Sequence, residues 1–375
     1  MKIIICVDRL TGGGAQRVAS LWIQGFVNEG HDVSVVLSNV RQTVTYHIPE
    51  KVPIFNVDFN IRNGLVRHLC KVFFQTFKLK KIFKTIQPDL VIAVGIKWGP
   101  LIYRAKGDMC FKVIGTDHGS YERPPIAPMP PKVKQLKFEF NKKFDAVTVL
   151  TQADKDYIGD RLKNVYVLPN PLAFEPVSES RFTREKTILA VGRLNAPIYK
   201  GFDILIEAFG RIAKEFPEWK VLIMGEGTNS EREHLNTLAK NNGIEKSFEI
   251  LPFQADPLPV FQKCGIFCLS SRYEGFGMVL IEAMSQGCAC VACDYKGRQR
   301  EIIPNDDFGL VCPAEDVDAL ASSLKKMMVD DDYRHHVEAK SPGRSKYYLL
   351  ENIMQRWNKI LKSAQIITKK TNEKI

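Results

Sequence analysis

Short apolar runs rich in Val, Ile and Leu recur along the chain, separated by longer stretches in which apolar positions return every three or four residues. The first pattern is that of strands buried on both faces and the second that of helices packed against them, so the alternation predicts βα units on parallel sheets. In the first half the strands read as Lys2–Asp8, Asp32–Ser38, Asp89–Gly95, Lys112–Asp117, Ala146–Thr151 and Val165–Pro169. After Asn170-Pro171-Leu172 a polar stretch from Glu175 to Lys186 reads as a linker. The series then restarts with Thr187–Arg193, Lys220–Gly225, Ser247–Phe253, Ile266–Ser271, Ala289–Asp294 and Gly309–Cys312. Two consecutive doubly wound α/β domains are predicted, with a ligand in the cleft between them, outside the carboxyl ends of the strands. The second series is interrupted at Ser341-Pro342-Gly343. From Tyr347 to Leu361 the residues Leu349, Leu350, Ile353, Trp357 and Ile360 return at helical spacing, a last helix expected to pack back on the first domain.

Length and charge narrow the picture. At 375 residues and 45% hydrophobic, the chain is long enough for two ordinary cores. Residues 1–173 hold 25 basic and 14 acidic side chains, whereas residues 174–375 hold 28 of each, so the whole net charge of +11 lies in the first half. A basic domain favours an anionic partner, whether nucleic acid, an anionic membrane face or a phosphorylated substrate. No apolar run approaches the roughly 18 residues of a membrane span, and the apolar start Ile3–Val7 is cut off by Asp8-Arg9. A cytoplasmic protein is expected, at most peripheral at the inner face of the cell membrane. Nine cysteines without an export segment read as free thiols, and Cys288, Cys290 and Cys293 read as small core residues of an apolar strand, not as metal ligands.

Four strand-end loops carry the candidate chemistry, one in the first half and three in the second. Gly12-Gly13-Gly14 opens a helix directly after the first strand, but Arg17 stands where a dinucleotide fingerprint needs its third glycine, and Ser38-Asn39 supplies no acid for a ribose. In the second half, Ser270 to Ala283 passes from a strand end through Gly275 and Gly277 into a helix near Met278. Glu274 falls in the loop and Glu282 about one turn into the helix. Two carboxylates there repel a phosphate unless cations come from elsewhere, and Arg193 with Lys200, after the first strand of the same domain, supply them. Gly225-Glu226-Gly227 closes a third strand end. Together these loops suit a diphosphate joined to two sugars.

In these residues the chain resembles the retaining glycosyltransferases of family 4, of the bacterial surface-polysaccharide type. The resemblance rests on Gly13–Val18, Val167–Pro171, Val191–Leu194, Lys200–Asp203, the E-x7-E run from Glu274 to Glu282, Gly287, Arg300-Glu301-Ile302 and Trp357. It implies the GT-B fold: two Rossmann-like domains facing a cleft. Residues 1–173 and a C-terminal helix within 345–375 form the acceptor side, and residues 174–344 bind the nucleotide sugar. It also implies a hexosyltransferase moving a hexose or N-acetylhexosamine from a nucleotide sugar, with UDP the expected nucleotide, and retaining configuration. By resemblance, Arg193 and Lys200 bind the diphosphate and Glu282 holds the ribose. Glu274 faces the hydroxyls of the transferred sugar, and backbone amides of Gly275, Phe276, Gly277, Met278 and Val279 hold sugar and phosphate, with Gly225 at the edge. Gly13 and Gly14 close over the donor, and His118 lies near the reacting centre in a positioning role. Neither a cofactor nor an obligate metal is expected. The chain departs from the family pattern in a longer loop between Arg193 and Lys200 and in Lys296-Gly297-Arg298-Gln299, where Gly-Gly-Pro is usual. Asp154-Lys155-Asp156 falls in a helix, and Asp330-Asp331-Asp332 reads as a solvated acidic turn.

Two basic, aromatic-rich segments remain for the acceptor side. One carries Lys71, Lys78, Lys80, Lys81 and Lys84 among Phe73, Phe74, Phe77 and Phe83; the other carries Lys132, Lys134, Lys137, Lys142 and Lys143 among Phe138, Phe140 and Phe144. Both are expected to meet an anionic membrane surface, with the acceptor sugar on a polyprenyl diphosphate. The alternatives are a nucleotide-sugar epimerase of the same fold and a nucleic-acid-binding protein using the basic face. Against the latter stands the lack of any RNP-type motif, zinc finger or recognition helix in the sequence.

Overall fold

The computed structural model describes residues 1–39, 46–58, 66–178, 182–195 and 197–366. The last part of the expected 345–375 segment, residues 367–375, and parts of the linker (179–181) and of the Arg193 to Lys200 loop (Ala196) lie outside the described residues. The chain divides into two compact units, Met1–Ala173 with Leu350–Ile375, and Phe174–Leu349.

The first unit runs β1 (Lys2–Val7), α1 (Gly14–Asn28), β2 (Asp32–Leu37), β3 (Ile54–Asn56), α2 (Val66–Ile86), β4 (Leu90–Val94), α3 (Trp98–Lys106), β5 (Lys112–Thr116), α4 (Pro131–Asn141), β6 (Ala146–Val149), α5 (Gln152–Ile158) and β7 (Val165–Val167). Its parallel sheet has the order β3-β2-β1-β4-β5-β6-β7. The second unit runs β8 (Glu185–Val191), α6 (Pro197–Lys200), α7 (Phe202–Ile212), β9 (Lys220–Met224), α8 (Asn229–Asn241), β10 (Phe248–Leu251), α9 (Leu258–Lys263), β11 (Cys264–Leu269), α10 (Met278–Ser285), β12 (Ala289–Asp294), β13 (Leu310–Pro313), α11 (Val317–Val329) and α12 (Asp331–Ser345). Its parallel sheet has the order β10-β9-β8-β11-β12-β13. The central strands read as unbroken apolar runs because both faces are covered: Ile3 to Cys6 and Ile266 to Leu269 are all but inaccessible. In each sheet the winding reverses beside the first strand, between β1 and β4 and between β8 and β11. An open α/β sheet takes its ligand at that switch point.

A final helix, α13 (Leu350–Ser363), returns to the first unit. Its buried Trp357 meets Trp22 of α1 edge-on at 5.1 Å and Phe26 at 5.5 Å. Met354 fills the space left by Gly25, and Asn358 donates to Glu29 at 2.9 Å.

Several expectations change. β3 has no counterpart among the expected strands, because three residues with exposed ends show no period. There is no break at Ser341-Pro342-Gly343: α12 runs through it, with Pro342 inside the helix. Its missing N–H comes late in the helix, where the Ser341 and Ser345 hydroxyls donate back to Val337 and Pro342 carbonyls. The helix expected from Tyr347 begins at Leu350, after a 3₁₀ turn over Lys346–Tyr348. The described parts of the linker are docked. Val177 N–H donates to the Ser285 carbonyl, and Arg184 donates to carbonyls of Phe261, Cys264 and Gln286. The acidic turn is a helix start, where the Asp330 side chain accepts from Tyr333 N–H and caps α12. Cys288, Cys290 and Cys293 are buried free thiols on and beside β12.

Candidate active site

The strand ends position the candidate residues, and each sheet places its own group at its switch point. In the second unit β8 ends at Val191, and Gly192 N–H donates to the Met224 carbonyl at 3.0 Å. The turn after β9 lies so close that a Cβ on Gly225 would run into the Gly192 carbonyl oxygen. That close approach fixes the loop from which Arg193 projects, exposed. At the neighbouring strand β11 the Ser270 hydroxyl donates to the Lys200 carbonyl at 2.9 Å, tying the end of α6 to the loop that carries Glu274.

Lys200 and Glu274, nine and five residues past their strands, meet here. Lys200 Nζ lies 2.7 Å from Glu274 Oε1, and the Ser271 hydroxyl donates to the same oxygen at 3.0 Å. The two side chains keep 23% and 17% of their surface in solvent, so the pair is held in place yet open to a ligand. Arg272 is the residue the sequence reading passed over. Its guanidinium forks onto Asp203 at 2.8 and 2.7 Å and reaches Glu315 at 3.1 Å, so it braces the loop against α7.

The next feature is the start of α10. Its N-cap is Gly277 at φ 97°, and no side chain caps the helix. Most residues avoid that backbone region, and a glycine cap leaves the first amides of the helix without a side-chain acceptor. α5, α8, α11 and α12 are instead capped by Thr151, Thr228, Asp316 and Asp330. The open amides at Met278 and Val279 therefore present partial positive charge at the end of the loop that carries Glu274. Phe276 is buried against Tyr348, ring centroids 5.4 Å apart, so only its backbone faces a ligand. Glu282, on α10, is 5% exposed. The departing segment Lys296 to Gln299 folds around Asp294, which accepts from Gly297 and Gln299 N–H, and Arg298 is fully buried.

In the first unit the corresponding residues line a cavity of about 300 Å³ that includes Asp8, Gln16, Lys97, His118, Arg123 and Lys137. α1 starts like α10, with Gly13 at φ 88° as N-cap and no side-chain cap. Gly14 is its first residue, and both glycines are exposed. Asp8, after β1, accepts from Ser38 and Lys97, each at 3.0 Å. His118 follows β5 and is partly enclosed. Burial pushes its pKa below the usual histidine range; Asp117 and a hydrogen bond to Asn170 oppose that, and the charge of Lys137 adds to it.

Lys137 corrects one expectation. It is no surface cation but is 3% exposed, paired with Asp117 at 2.8 Å and seated over the Tyr121 ring at 4.3 Å. The aromatics of α4 are half-buried, Phe138 against the buried Tyr121 and Phe140 against the exposed Tyr103. α2 differs: Leu79 and Phe83 are buried, whereas Phe73 and Phe77 are 68% and 63% exposed and Lys80, Lys81 and Lys84 are exposed on the same side.

Comparison with known proteins is consistent across the chain. The family model described as "Glycosyltransferase Family 4" matches residues 12–175, and "Glycosyl transferases group 1" matches residues 174–344. The chain is a GT-B glycosyltransferase of the family 4 type. It is 29% identical to the amylovoran biosynthesis glycosyltransferase AmsD of Erwinia amylovora, over 96% of this chain and 99% of that protein. It is 26% identical to the N-acetylgalactosamine-N,N'-diacetylbacillosaminyl-diphospho-undecaprenol 4-alpha-N-acetylgalactosaminyltransferase of Campylobacter jejuni, over 92% and 95%. Its fold matches Anabaena HepE, solved with UDP and glucose, at a TM-score of 0.79 and 19% identity over 97% of this chain and 100% of that one. Among the described residues, no helix of this glycosyltransferase is long and apolar enough to cross a membrane.

Proposed function

We propose that this glycosyltransferase moves a hexose or N-acetylhexosamine from a nucleotide sugar, with UDP the expected nucleotide, to a sugar carried on a polyprenyl diphosphate, with retention and without a metal. The observation that carries the reading is the glycine-capped start of α10 three residues after Glu274, whose carboxylate meets Lys200, so that amides, a cation and a carboxylate share one strand end. The second unit is read as the donor side and the first, with its cavity around His118, as the acceptor side. Arg193 and Lys200 take the diphosphate and neutralise it as it leaves. The amides from Gly275 to Val279 hold the sugar and phosphate of the donor, with Gly225 keeping the Arg193 loop in place. Glu282 takes the ribose.

Lys200 must trade Glu274 for phosphate oxygens when the donor arrives. That exchange frees Glu274 to accept from hydroxyls of the transferred sugar. Retention follows if the acceptor oxygen attacks on the face from which the nucleotide departs; its proton passes to the leaving phosphate, and the glycosidic bond forms as the sugar–phosphate bond breaks. The AmsD likeness and the undecaprenol-linked substrate in the Campylobacter relative's name support polysaccharide or glycan assembly on a lipid carrier.

The reading is tested by incubating purified protein with an α-configured UDP-sugar and a synthetic glycosyl polyprenyl diphosphate in the presence of EDTA. The expected product is α-linked by proton NMR, at the rate seen without EDTA. A β-linked product would overturn retention, and lost activity would overturn metal independence. Membrane contact at the inner face of the cell membrane is assigned to α2, whose exposed phenylalanines and lysines share one side. Co-flotation with anionic liposomes at about 0.1 M salt is expected, and Phe73→Ser with Phe77→Ser should abolish it. Flotation unchanged in that double variant would remove α2 from the membrane.

A further inference from the structure

His118 is held from two sides by residues remote in sequence. Its Nδ1 lies 3.1 Å from Oδ1 of Asn170, a side chain 4% exposed in the loop after β7. A carboxamide oxygen can only accept, so the shared proton sits on Nδ1 and Nε2 of the neutral ring carries the lone pair. Thr116 Oγ1 lies 3.4 Å from Nε2 and 3.2 Å from the Ala93 carbonyl, so its one proton can turn to either acceptor and a bare Nε2 meets no clash there. The ring face packs on Trp22, centroids 5.3 Å apart, and Trp22 is in turn braced edge-on by Trp357 of α13. The charged groups facing the ring are Asp117, beside it in the same loop, and Lys137 from α4, ion-paired with each other. Lys97 and Arg123 line the same cavity. A partly enclosed imidazole whose pKa is lowered by desolvation is neutral at pH 7.

We propose that Asn170 is a positioning residue that fixes His118 as the Nδ1–H tautomer, so that Nε2 accepts a hydrogen bond from a hydroxyl of the bound acceptor. The hydroxyl is placed by that bond; its proton still leaves with the donor phosphate. This assignment rests on the reading of His118 as an acceptor-side residue. It gives the Asn170 of the Val167–Pro171 segment a role that a tight turn alone does not require.

The direct test is a long-range proton–nitrogen NMR spectrum of the full-length protein labelled with ¹⁵N-histidine at pH 7.5, His118 being assigned by its loss in His118→Gln. The expected spectrum shows Nδ1 protonated and Nε2 bare. In Asn170→Leu the Nδ1–H tautomer should lose its dominance. In Asn170→Asp a carboxylate beside Nδ1 raises the His118 pKa, so the acid limb of kcat/KM moves to higher pH by about one unit, a tenfold loss below both values. A wild-type spectrum with the proton on Nε2 overturns the proposal, as do variants that keep both the wild-type tautomer and the wild-type pH profile. If neither variant folds, the wild-type spectrum alone decides. It is read on the resting protein, so its result is separate from whether any nucleotide sugar is turned over.

Discussion

Replacing Lys200 with alanine is expected to lower kcat/KM for sugar transfer about 10²- to 10³-fold while the protein keeps its fold, the loss that follows removal of one preorganised group facing developing negative charge. Lys200 reaches no core; its Nζ meets the Glu274 carboxylate, and 23% of the side chain is in solvent. Without the cation, Glu274 faces an incoming diphosphate with a bare negative charge, so binding and turnover both suffer. Glu274→Ala should reduce kcat sharply and the donor's affinity little, because the sugar hydroxyls lose their acceptor while Lys200 stays available to phosphate. Glu282→Ala should do the reverse and chiefly weaken donor binding. Steady-state kinetics with donor titration separates the three. A Lys200→Ala enzyme within threefold of wild type would remove Lys200 from the reaction.

Trp357→Ala should destabilise the first unit by about 3–5 kcal/mol, the usual cost of deleting a buried tryptophan. Trp357 is fully buried, and the cavity cannot collapse easily because Trp22 and Phe26 hold it open from α1. For a unit of this size the loss lowers the melting temperature by about 10 °C. Calorimetry should resolve that fall in one transition and leave the second unit's transition in place. Since Trp22 also supports His118, activity should fall well below the melting point. Equal shifts in both transitions, or none, would contradict the placement of α13 on the first unit.

The alternation of apolar runs carried most of the fold, because strands buried on both faces have no polar positions to confuse the pattern. Up to β11 the strands end one or two residues earlier than the apolar runs predict, and the overhanging residues include Asp8 and Asp117 in the first unit and Arg193, Ser270 and Ser271 in the second, all of them in the loops that carry the candidate site. Short β3 and the proline inside α12 escaped for local reasons: one has too few residues for a period, and the other places a helix breaker where serine hydroxyls take up the slack. The pairing of Lys200 with Glu274 spans 74 positions and that of His118 with Asn170 spans 52, and no spacing in one sequence encodes such contacts. Lys137 misled most. In sequence it belongs to a basic stripe, yet Asp117 and Tyr121, some twenty residues earlier, draw it inside. One cation of the basic first half is therefore spent on holding the His118 loop, while Lys78, Lys80, Lys81 and Lys84 of α2 and Lys132, Lys134, Lys142 and Lys143 on and beside α4 stay exposed.

Thermal unfolding of the wild-type protein and of Lys200→Ala with UDP-, GDP- and ADP-sugars bears most directly on the assignment of the donor site to the second unit. At about one hundred times Kd, a ligand bound only by the native state adds about 2.7 kcal/mol, a rise of about 5 °C or more in a unit of this size. The expected result is such a rise for wild type with one nucleotide's sugars, UDP foremost, and little or none for Lys200→Ala. No rise with any nucleotide sugar at millimolar concentration, or an equal rise in both proteins, would contradict it.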